Sequence, residues 1–375
     1  MTVLRGPAVL ADDVLADAVV RLEGGRVVEV RPARSGDPAA AGTLLPGLVD
    51  VHCHGGGGAS FATDDPDEAD AAAGFHLDRG TTTVVASLVT DGPGTLLAQC
   101  RLLAGLCGDG GPVAGIHLEG PFLSPARRGA HPAHLLLPPD PAVLAGLLAA
   151  GAGHVRHVTL APELPGYAAC AALVRGAGAV VALGHSDADH ATAAAAFAAG
   201  AGSATHLFNA MRPWGHRDSS VASAALQAAA GHAAVVELVA DGIHVDAGTV
   251  AAVLALVPGR VALVSDAVPP AGLPDGDHVL GAVGIQVRDG VARTVDGAVA
   301  GGSGALLDVL RFAVQQAGVP LPVAAAAASR VPAALLGLDR SSGAGRLAPG
   351  ARADVLVVDD DLRPVQVWRA GRRHR

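Results

Sequence analysis

Between Leu48 and Ala317 the chain alternates, eight times over, a short apolar run with an Ala- and Leu-rich stretch. The apolar runs cover 48–53, 81–89, 113–119, 155–161, 179–184, 202–206, 235–240 and 261–265. Stretches of helical composition at 67–79, 94–107, 141–150, 166–177, 188–199, 219–230 and 247–257 separate them, and another near 305–317 follows the eighth. Runs that are apolar on both faces suit strands buried on both faces, as parallel strands joined by helices are. Eight such repeats predict a closed (β/α)8 barrel of TIM type. Ala-Val runs also suit buried helices, so the reading rests on the regularity of the repeat and not on any one segment.

The two ends of the chain read differently. Val3 to Leu10, Val14 to Leu22, Val27 to Val30 and Thr43 to Leu45 are short β-like runs, and Gly24-Gly25 is a hairpin signal. Asp354 to Val358 and Val365 to Trp368 have the same character around the turn Asp359-Asp360-Asp361. The simplest arrangement is a small β-sandwich domain built from both termini, 1–46 with 343–375, interrupted by a barrel domain at 47–342.

Composition narrows the functional classes. The formal net charge is −9 with no basic stripe, which counts against a nucleic-acid partner. Cys53, Cys100, Cys107 and Cys170 lack CxxC spacing and read as free thiols of a reducing compartment. Asp12-Asp13 falls where a leader peptide would be basic, and no apolar run is long enough to span a membrane. A cytoplasmic protein is expected. Gly55 to Gly58 lack the spacing of a dinucleotide fingerprint, and with no lysine in the chain there is no P-loop.

The chemistry sits at the ends of the apolar runs. In 113–119 strand alternation turns His117 and Glu119 to one face, and Gly120-Pro121 stops the strand directly after Glu119. A carboxylate there needs a partner, because an unpaired buried charge is very costly. The first run ends with Asp50, His52 and His54 on one face; others end at His185, His206 and Asp266. A lone histidine on an apolar strand is more often a satisfied core residue than a ligand. In a barrel, however, these ends share one rim, where active sites of this fold lie. Histidine and carboxylate without thiolate suit Zn²⁺, Fe²⁺, Mn²⁺ or a similar ion. Such an ion makes hydroxide available near neutral pH, and Asp266 fits the role of a carboxylate that moves the proton. Many two-metal hydrolases of this architecture bridge their ions with a carboxylated lysine; without lysine, any bridge must be a carboxylate, and Glu119 is the one placed for it.

In order, the chain carries PGLVDVHCHGGGG (46–58), GIHLEGPFLSPARRGAHP (115–132), GHSDA (184–188), THLFNAM (205–211), ADGIHVD (240–246), SDA (265–267) and GRLAPGARADVLVVD (345–359). Together these resemble the N-acetylglucosamine-6-phosphate deacetylase family of the amidohydrolase superfamily. The resemblance implies a divalent metal, Zn²⁺ foremost with Fe²⁺, Mn²⁺ and Co²⁺ as alternatives, held by Glu119, His185 and His206. Some members have lost the HxH pair and use one ion; this chain keeps His52 and His54, so a second ion is implied as an option. Asp266 is implied as the acid/base residue. His131 resembles the histidine that contacts the sugar near the acetamide, and Asn209 and Ala210 the contacts to phosphate. Arg217 and His244 resemble a phosphate-binding pair, with His244 offered by the neighbouring subunit of a homodimer, and Val299 resembles a residue lining the acetyl pocket. The loop departs from the family's Arg-Glu-Pro-Gly, reading Arg217-Asp218-Ser219-Ser220.

The function the resemblance implies is metal-dependent deacetylation of a phosphosugar, N-acetylglucosamine 6-phosphate, to glucosamine 6-phosphate and acetate. An amidohydrolase acting on a cyclic amide or an N-acylated amino acid is the competing enzyme reading, and a barrel that has lost its chemistry the non-enzymatic one. Arg127-Arg128 reads as a solvated loop pair, His117 as a barrel-interior residue, and His76, His154, His157, His190, His232 and His278 as surface or packing residues.

Overall fold

The computed structural model describes residues 1–10, 14–108 and 110–375. Asp12 and Asp13, which count against a leader peptide, lie outside the described residues. The chain opens with β1 (Thr2–Val9), β2 (Val14–Glu23), β3 (Arg26–Pro32) and β4 (Thr43–Pro46). The β2–β3 hairpin turns at Gly24 and Gly25, whose φ angles of 57° and 74° other residues adopt only at a cost.

The barrel then runs β5 (Leu48–Cys53), a small hairpin of β6 (Gly55–Gly56) and β7 (Ala59–Ser60), α1 (Pro66–Leu77), β8 (Thr81–Leu88), α2 (Pro93–Leu106) and β9 (Val113–Glu119). It continues with α3 (Pro141–Ala150), β10 (Val155–Leu160), α4 (Tyr167–Gly176), β11 (Val180–Leu183), α5 (His190–Ala198), β12 (Ser203–Ala204), α6 (Val221–Ala230), β13 (Val235–Leu238), α7 (Ala247–Leu256) and β14 (Val261–Leu263). Asp65, Asp140, Asp189 and Asp246 cap α1, α3, α5 and α7 by accepting from first-turn N–H groups. Each such cap is worth about 1 kcal/mol.

The eight barrel strands pair in the order β14-β13-β12-β11-β10-β9-β8-β5, every pair parallel. The ring closes just beyond β14. There the Asp266 N–H donates to His52 O at 3.0 Å and the His54 N–H donates to Ala267 O at 2.8 Å. The expected (β/α)8 barrel is therefore present. The sixth strand is shorter than the run 202–206 suggests, because backbone pairing stops at Ala204, before His206 enters a turn.

A further sheet was not expected. After β14 the chain forms an antiparallel sheet of β15 (Gly276–Leu280), β16 (Val283–Arg288), β17 (Val291–Thr294) and β18 (Val299–Gly301). Its inner face, with Leu280, Ile285, Val287, Ala292 and Ala300, packs on Val89 and Val268 at the barrel rim.

The chain ends with α8 (Leu306–Gln315), α9 (Leu321–Ala327), α10 (Arg330–Leu335), α11 (Leu338–Ser341), β19 (Val355–Val358), β20 (Pro364–Arg369) and β21 (Arg372–Arg373). The strands of both termini form one sheet, β21-β20-β19-β4-β1-β2-β3. This sheet folds over on itself. The Val27 N–H reaches Ala351 O at 3.0 Å and the Ala353 N–H reaches Gly25 O at 2.9 Å, so the β2–β3 turn meets the chain entering β19. Leu4, Val20, Leu22, Val27, Leu347, Val355 and Val357 fill the enclosed face as a sandwich core. Among the described residues no helix is long and apolar enough to cross a membrane.

Candidate functional site

The strand ends deliver six side chains to one point. Glu119, the last residue of β9, lies among His52 and His54 from β5 and the residue after it, His185 after β11, His206 after β12 and Asp266 after β14. His185, His206 and Asp266 have φ angles of 47°, 27° and 48°. Non-glycine residues are uncommon in that region, and such strain concentrates at functional sites. Here the left-handed turn swings each side chain inward over the barrel. Gly120 continues the pattern with φ 95°; a Cβ there would stand 2.2 Å from Thr90 Oγ1.

The contacts are those of a shared cation site. Glu119 Oε1 lies 3.1 Å from His185 Nε2 and 3.0 Å from His206 Nε2, and these two nitrogens are 3.0 Å apart. Glu119 Oε2 lies 3.2 Å from His54 Nε2, which is 3.1 Å from His52 Nε2. Asp266 Oδ1 closes this half at 3.4 Å from His52 Nε2 and 3.3 Å from His54 Nε2. Ligand atoms sharing one ion through bonds of about 2.0–2.2 Å come within roughly 3–3.5 Å of each other.

Tautomers sharpen the point. His185 Nδ1 lies 2.9 Å from the Arg127 carbonyl oxygen, and His52 Nδ1 lies 3.0 Å from a carboxylate oxygen of Glu237. Both partners only accept, so each Nδ1 carries the proton. A neutral ring then turns a bare Nε2 toward Glu119, lone pair against lone pair, which only a cation or a proton relieves. Burial holds the His185 ring neutral, with its pKa lowered to about 4. For His52 burial also disfavours charge, but Glu119 and Asp266 outweigh it and raise its pKa well above the ordinary value. Burial pushes Glu119 up as well; His52, His131 and His185 overcome that and hold it well below the usual carboxylate range. For Asp266 burial is likewise outweighed, by His52 and His54, to a pKa of about 2. The donor set therefore fits a divalent ion.

Over this cluster lies a cavity of about 270 Å³, at the small end of ligand cavities. Its floor is His54, Glu119, His131, His185, His206, His244 and Asp266; Leu280, Val283, Val299 and Ala300 of the four-stranded sheet, with Ala298 from the turn before β18, supply an apolar wall.

The sequence profile of the amidohydrolase family matches residues 43–373. The chain belongs to the amidohydrolase family. It is 34% identical over 374 residues to an N-acetylgalactosamine-6-phosphate deacetylase of Escherichia coli O157:H7, with 98% of each chain covered. It is 35% identical over 388 residues to an N-acetylglucosamine-6-phosphate deacetylase of Mus musculus, with 98% of this chain and 93% of that one covered. Among solved structures it resembles an aspartate-to-alanine mutant of N-acetyl-D-glucosamine-6-phosphate deacetylase from Mycobacterium smegmatis, in complex with N-acetyl-D-glucosamine-6-phosphate. That match has a TM-score of 0.94 and 39% identity over 99% of this chain and 98% of that one.

In this amidohydrolase the remaining candidates fall in two groups. His131, Asn209, Ala210, His244 and Val299 line the cavity together with His54, Glu119, His185, His206 and Asp266. The Thr90 N–H donates to His131 Nδ1 at 3.3 Å, which leaves the His131 proton on Nε2, facing the cavity. The Asn209 amide nitrogen is committed to the carbonyls of His206 and Leu207 at 3.3 and 3.2 Å. His244 was expected from a neighbouring subunit, yet it stands in the cavity wall of its own chain. Asp241 accepts from the N–H groups of Ile243 and His244, curls the turn inward, and meets His244 Nδ1 at 2.7 Å. Burial lowers the His244 pKa, but Asp241 reverses this and raises it. Arg217 stands apart: it is exposed and does not line the cavity of its own chain.

Sequence reasoning passed over three participants. Thr90 and Asp241 orient His131 and His244; no local pattern marks Thr90, and Asp241 lies within ADGIHVD without having been singled out. Glu237 was visible in principle, as a lone acid in the apolar run Val-Val-Glu-Leu of β13. Two histidines read as surface or packing residues are fully buried: His157, 2.8 Å from Ser203 Oγ, and His76, 3.0 Å from Cys53 Sγ. His117 is interior as expected, between Ser87 Oγ at 2.9 Å and Thr159 Oγ1 at 2.8 Å. Arg127 and Arg128 are ion-paired, with Asp187 and Asp296, each at 2.7 Å.

Proposed function

We propose that this amidohydrolase hydrolyses the acetamide of N-acetylglucosamine 6-phosphate to acetate and glucosamine 6-phosphate. The observation that carries the reading is the convergence of Glu119, His185, His206, His52, His54 and Asp266 beneath one small cavity. The names and near-complete coverage of the relatives support the substrate.

Glu119, His185 and His206 would hold the principal ion, and His52 and His54 would hold a second. Zn²⁺ suits this donor set best, with Fe²⁺, Mn²⁺ and Co²⁺ as alternatives. A bound divalent ion polarises a carbonyl and lowers the pKa of water. Asp266 accepts the proton of the attacking water and returns it to the nitrogen as the C–N bond breaks, since an unprotonated amine leaves poorly. His131, with its proton on Nε2, donates to the acetamide oxygen. Val299 and Ala300 receive the methyl group against an apolar wall. His244, pushed toward the charged form by Asp241, and the turn at Asn209 and Ala210 bind the rest of the phosphosugar.

Among the described residues no arginine lines the cavity, although the substrate is an anion. The exposed Arg217 therefore serves the phosphate of a neighbouring subunit's cavity, in a cytoplasmic homodimer with no nucleic-acid or membrane partner. Residues 47–342 form the catalytic domain, and 1–46 with 343–375 the small one.

The galactosamine epimer is a second reading, favoured by the Escherichia coli relative. Acetate release from both phosphosugars, on protein loaded in turn with each candidate ion, separates the two. Acetate from neither would overturn both readings.

A further inference from the structure

β13 sends one charged side chain into the barrel interior. Glu237 is fully buried and does not line the cavity. One oxygen, Oε2, lies 3.0 Å from His52 Nδ1 and accepts from the His206 backbone N–H at 3.2 Å. The other, Oε1, lies 3.4 Å from His157 Nε2. An enclosed carboxylate is costly, and valine or leucine would fill such a position without that cost.

We propose that Glu237 is the positioning residue of the metal centre, fixing the tautomer and aim of His52 and the backbone turn that presents His206. The inference rests on the metal reading given above. An ionised carboxylate only accepts hydrogen bonds, so the ring nitrogen beside it must carry a proton. His52 is thereby left with Nε2 as its ligand atom, and that atom faces His54, Glu119 and Asp266. Without Glu237 the ring would be free to place its proton on Nε2 and donate to Glu119 or Asp266, closing the ion's position. The same Oε2 tethers the N–H of His206, whose φ of 27° lies in a sparsely populated region. One carboxylate thus sets the register between the two halves of the centre. His157 backs it from the far side, itself bonded to Ser203.

Histidine ligands commonly give their second nitrogen to a carboxylate, and losing that partner typically weakens metal binding by about 10–100-fold. Glu237→Gln keeps the shape and removes the charge. The experiment strips wild type and variant of metal and titrates each with Co²⁺ by calorimetry. One Co²⁺ equilibrium should weaken by about 10–100-fold in Glu237→Gln. ¹⁵N-edited NMR of the Zn²⁺-loaded protein supplies a readout that loss of packing alone would not move. The wild-type His52 Nδ1–H should be strongly deshielded by the carboxylate and should shift upfield in the variant. Unchanged Co²⁺ affinities overturn the proposal. So does a Zn²⁺-loaded wild type in which His52 Nδ1 carries no proton, a test that stands even if Glu237→Gln fails to fold. A wild type that takes up neither ion instead overturns the metal reading, and this inference with it.

Discussion

Replacing Asp266 by Asn tests the proposed chemistry most directly. Asp266 is only 7% exposed, and its Oδ1 lies 3.4 and 3.3 Å from the Nε2 atoms of His52 and His54. Asn has the same size and branching, so the turn at φ 48° and the packing should persist. What disappears is the ability to take and return a proton. A positioned acid or base contributes about 10²–10⁴-fold in rate. One carboxylate serves both transfers here, which puts the expected loss in kcat in the upper half of that range, at about 10³–10⁴-fold. That is about 4–5.5 kcal/mol of barrier. His244 and the Asn209–Ala210 turn are untouched, so affinity for N-acetylglucosamine 6-phosphate should change by no more than about threefold, under about 0.7 kcal/mol. The assay pairs acetate release with a binding titration and a metal analysis of the same preparation. A kcat within about tenfold of wild type, with metal retained, would refute the assignment. Loss of the ion would instead make Asp266 chiefly a ligand.

Three further outcomes are expected. His185→Ala or His206→Ala should remove tightly bound metal and activity together, whereas His52→Ala or His54→Ala should cost less than loss of Glu119; full metal content in the first pair, or none at all in the second, contradicts the ranking. Chelation should lower the melting temperature, because an ion at a hundred times its Kd contributes about 2.7 kcal/mol; identical melting curves with and without chelator would argue against an ion site. Burial lowers the His76 pKa to about 4, so between its ordinary value and about pH 4 the unfolded chain binds a proton that the folded chain refuses. Stability from this group is complete above about pH 6.5 and is lost as pH falls toward 4, by about 3 kcal/mol at most. Urea unfolding of wild type and His76→Asn across that window should show the smaller pH dependence in the variant, and equal slopes would rule out His76 as the source.

Where the sequence was legible, one physical rule made it so. A polar residue ending an apolar strand has few reasons to be there, and Glu119, His185, His206 and Asp266 stand out for that reason. The same rule applied to Val-Val-Glu-Leu would have exposed Glu237; it went unread because Glu237 precedes the strand's end and no histidine adjoins it in the chain. The sheet of β15–β18 escaped for a different cause. Its strands are three to six residues long, and only the turns Asp289-Gly290 and Asp296-Gly297 announce it. His157 and His76 could not be placed by local pattern, since burial of a neutral histidine depends on a partner distant in the chain. His244 shows the limit of motif reading: ADGIHVD identifies the residue, but the hydrogen bonds to Asp241 decide which cavity it enters.

The centre also shows how this fold tolerates a costly arrangement. Glu119, Asp266 and Glu237 are three carboxylates enclosed at the end of the barrel, beside buried Ser87, His117, His157 and Thr159. Each would be expensive alone, and breaking a buried pair typically costs about 3–5 kcal/mol. The histidines that offset them cannot all be charged, because they repel one another at ring separations of 4.5–5.6 Å. Burial keeps His117, His157 and His185 neutral, while His52 is pushed toward the charged form by Glu119 and Asp266. On the proposed metal reading, His52 Nε2 is the atom at which a proton and a divalent ion would meet the same carboxylates. Proton and ion compete for the same Nε2 lone pair, so metal uptake must release protons and weaken in acid. On that reading the ion would be part of the electrostatic balance of the fold. The large apolar core around the barrel, and not this centre, has to supply the stability that lets six strained or charged residues be held in place.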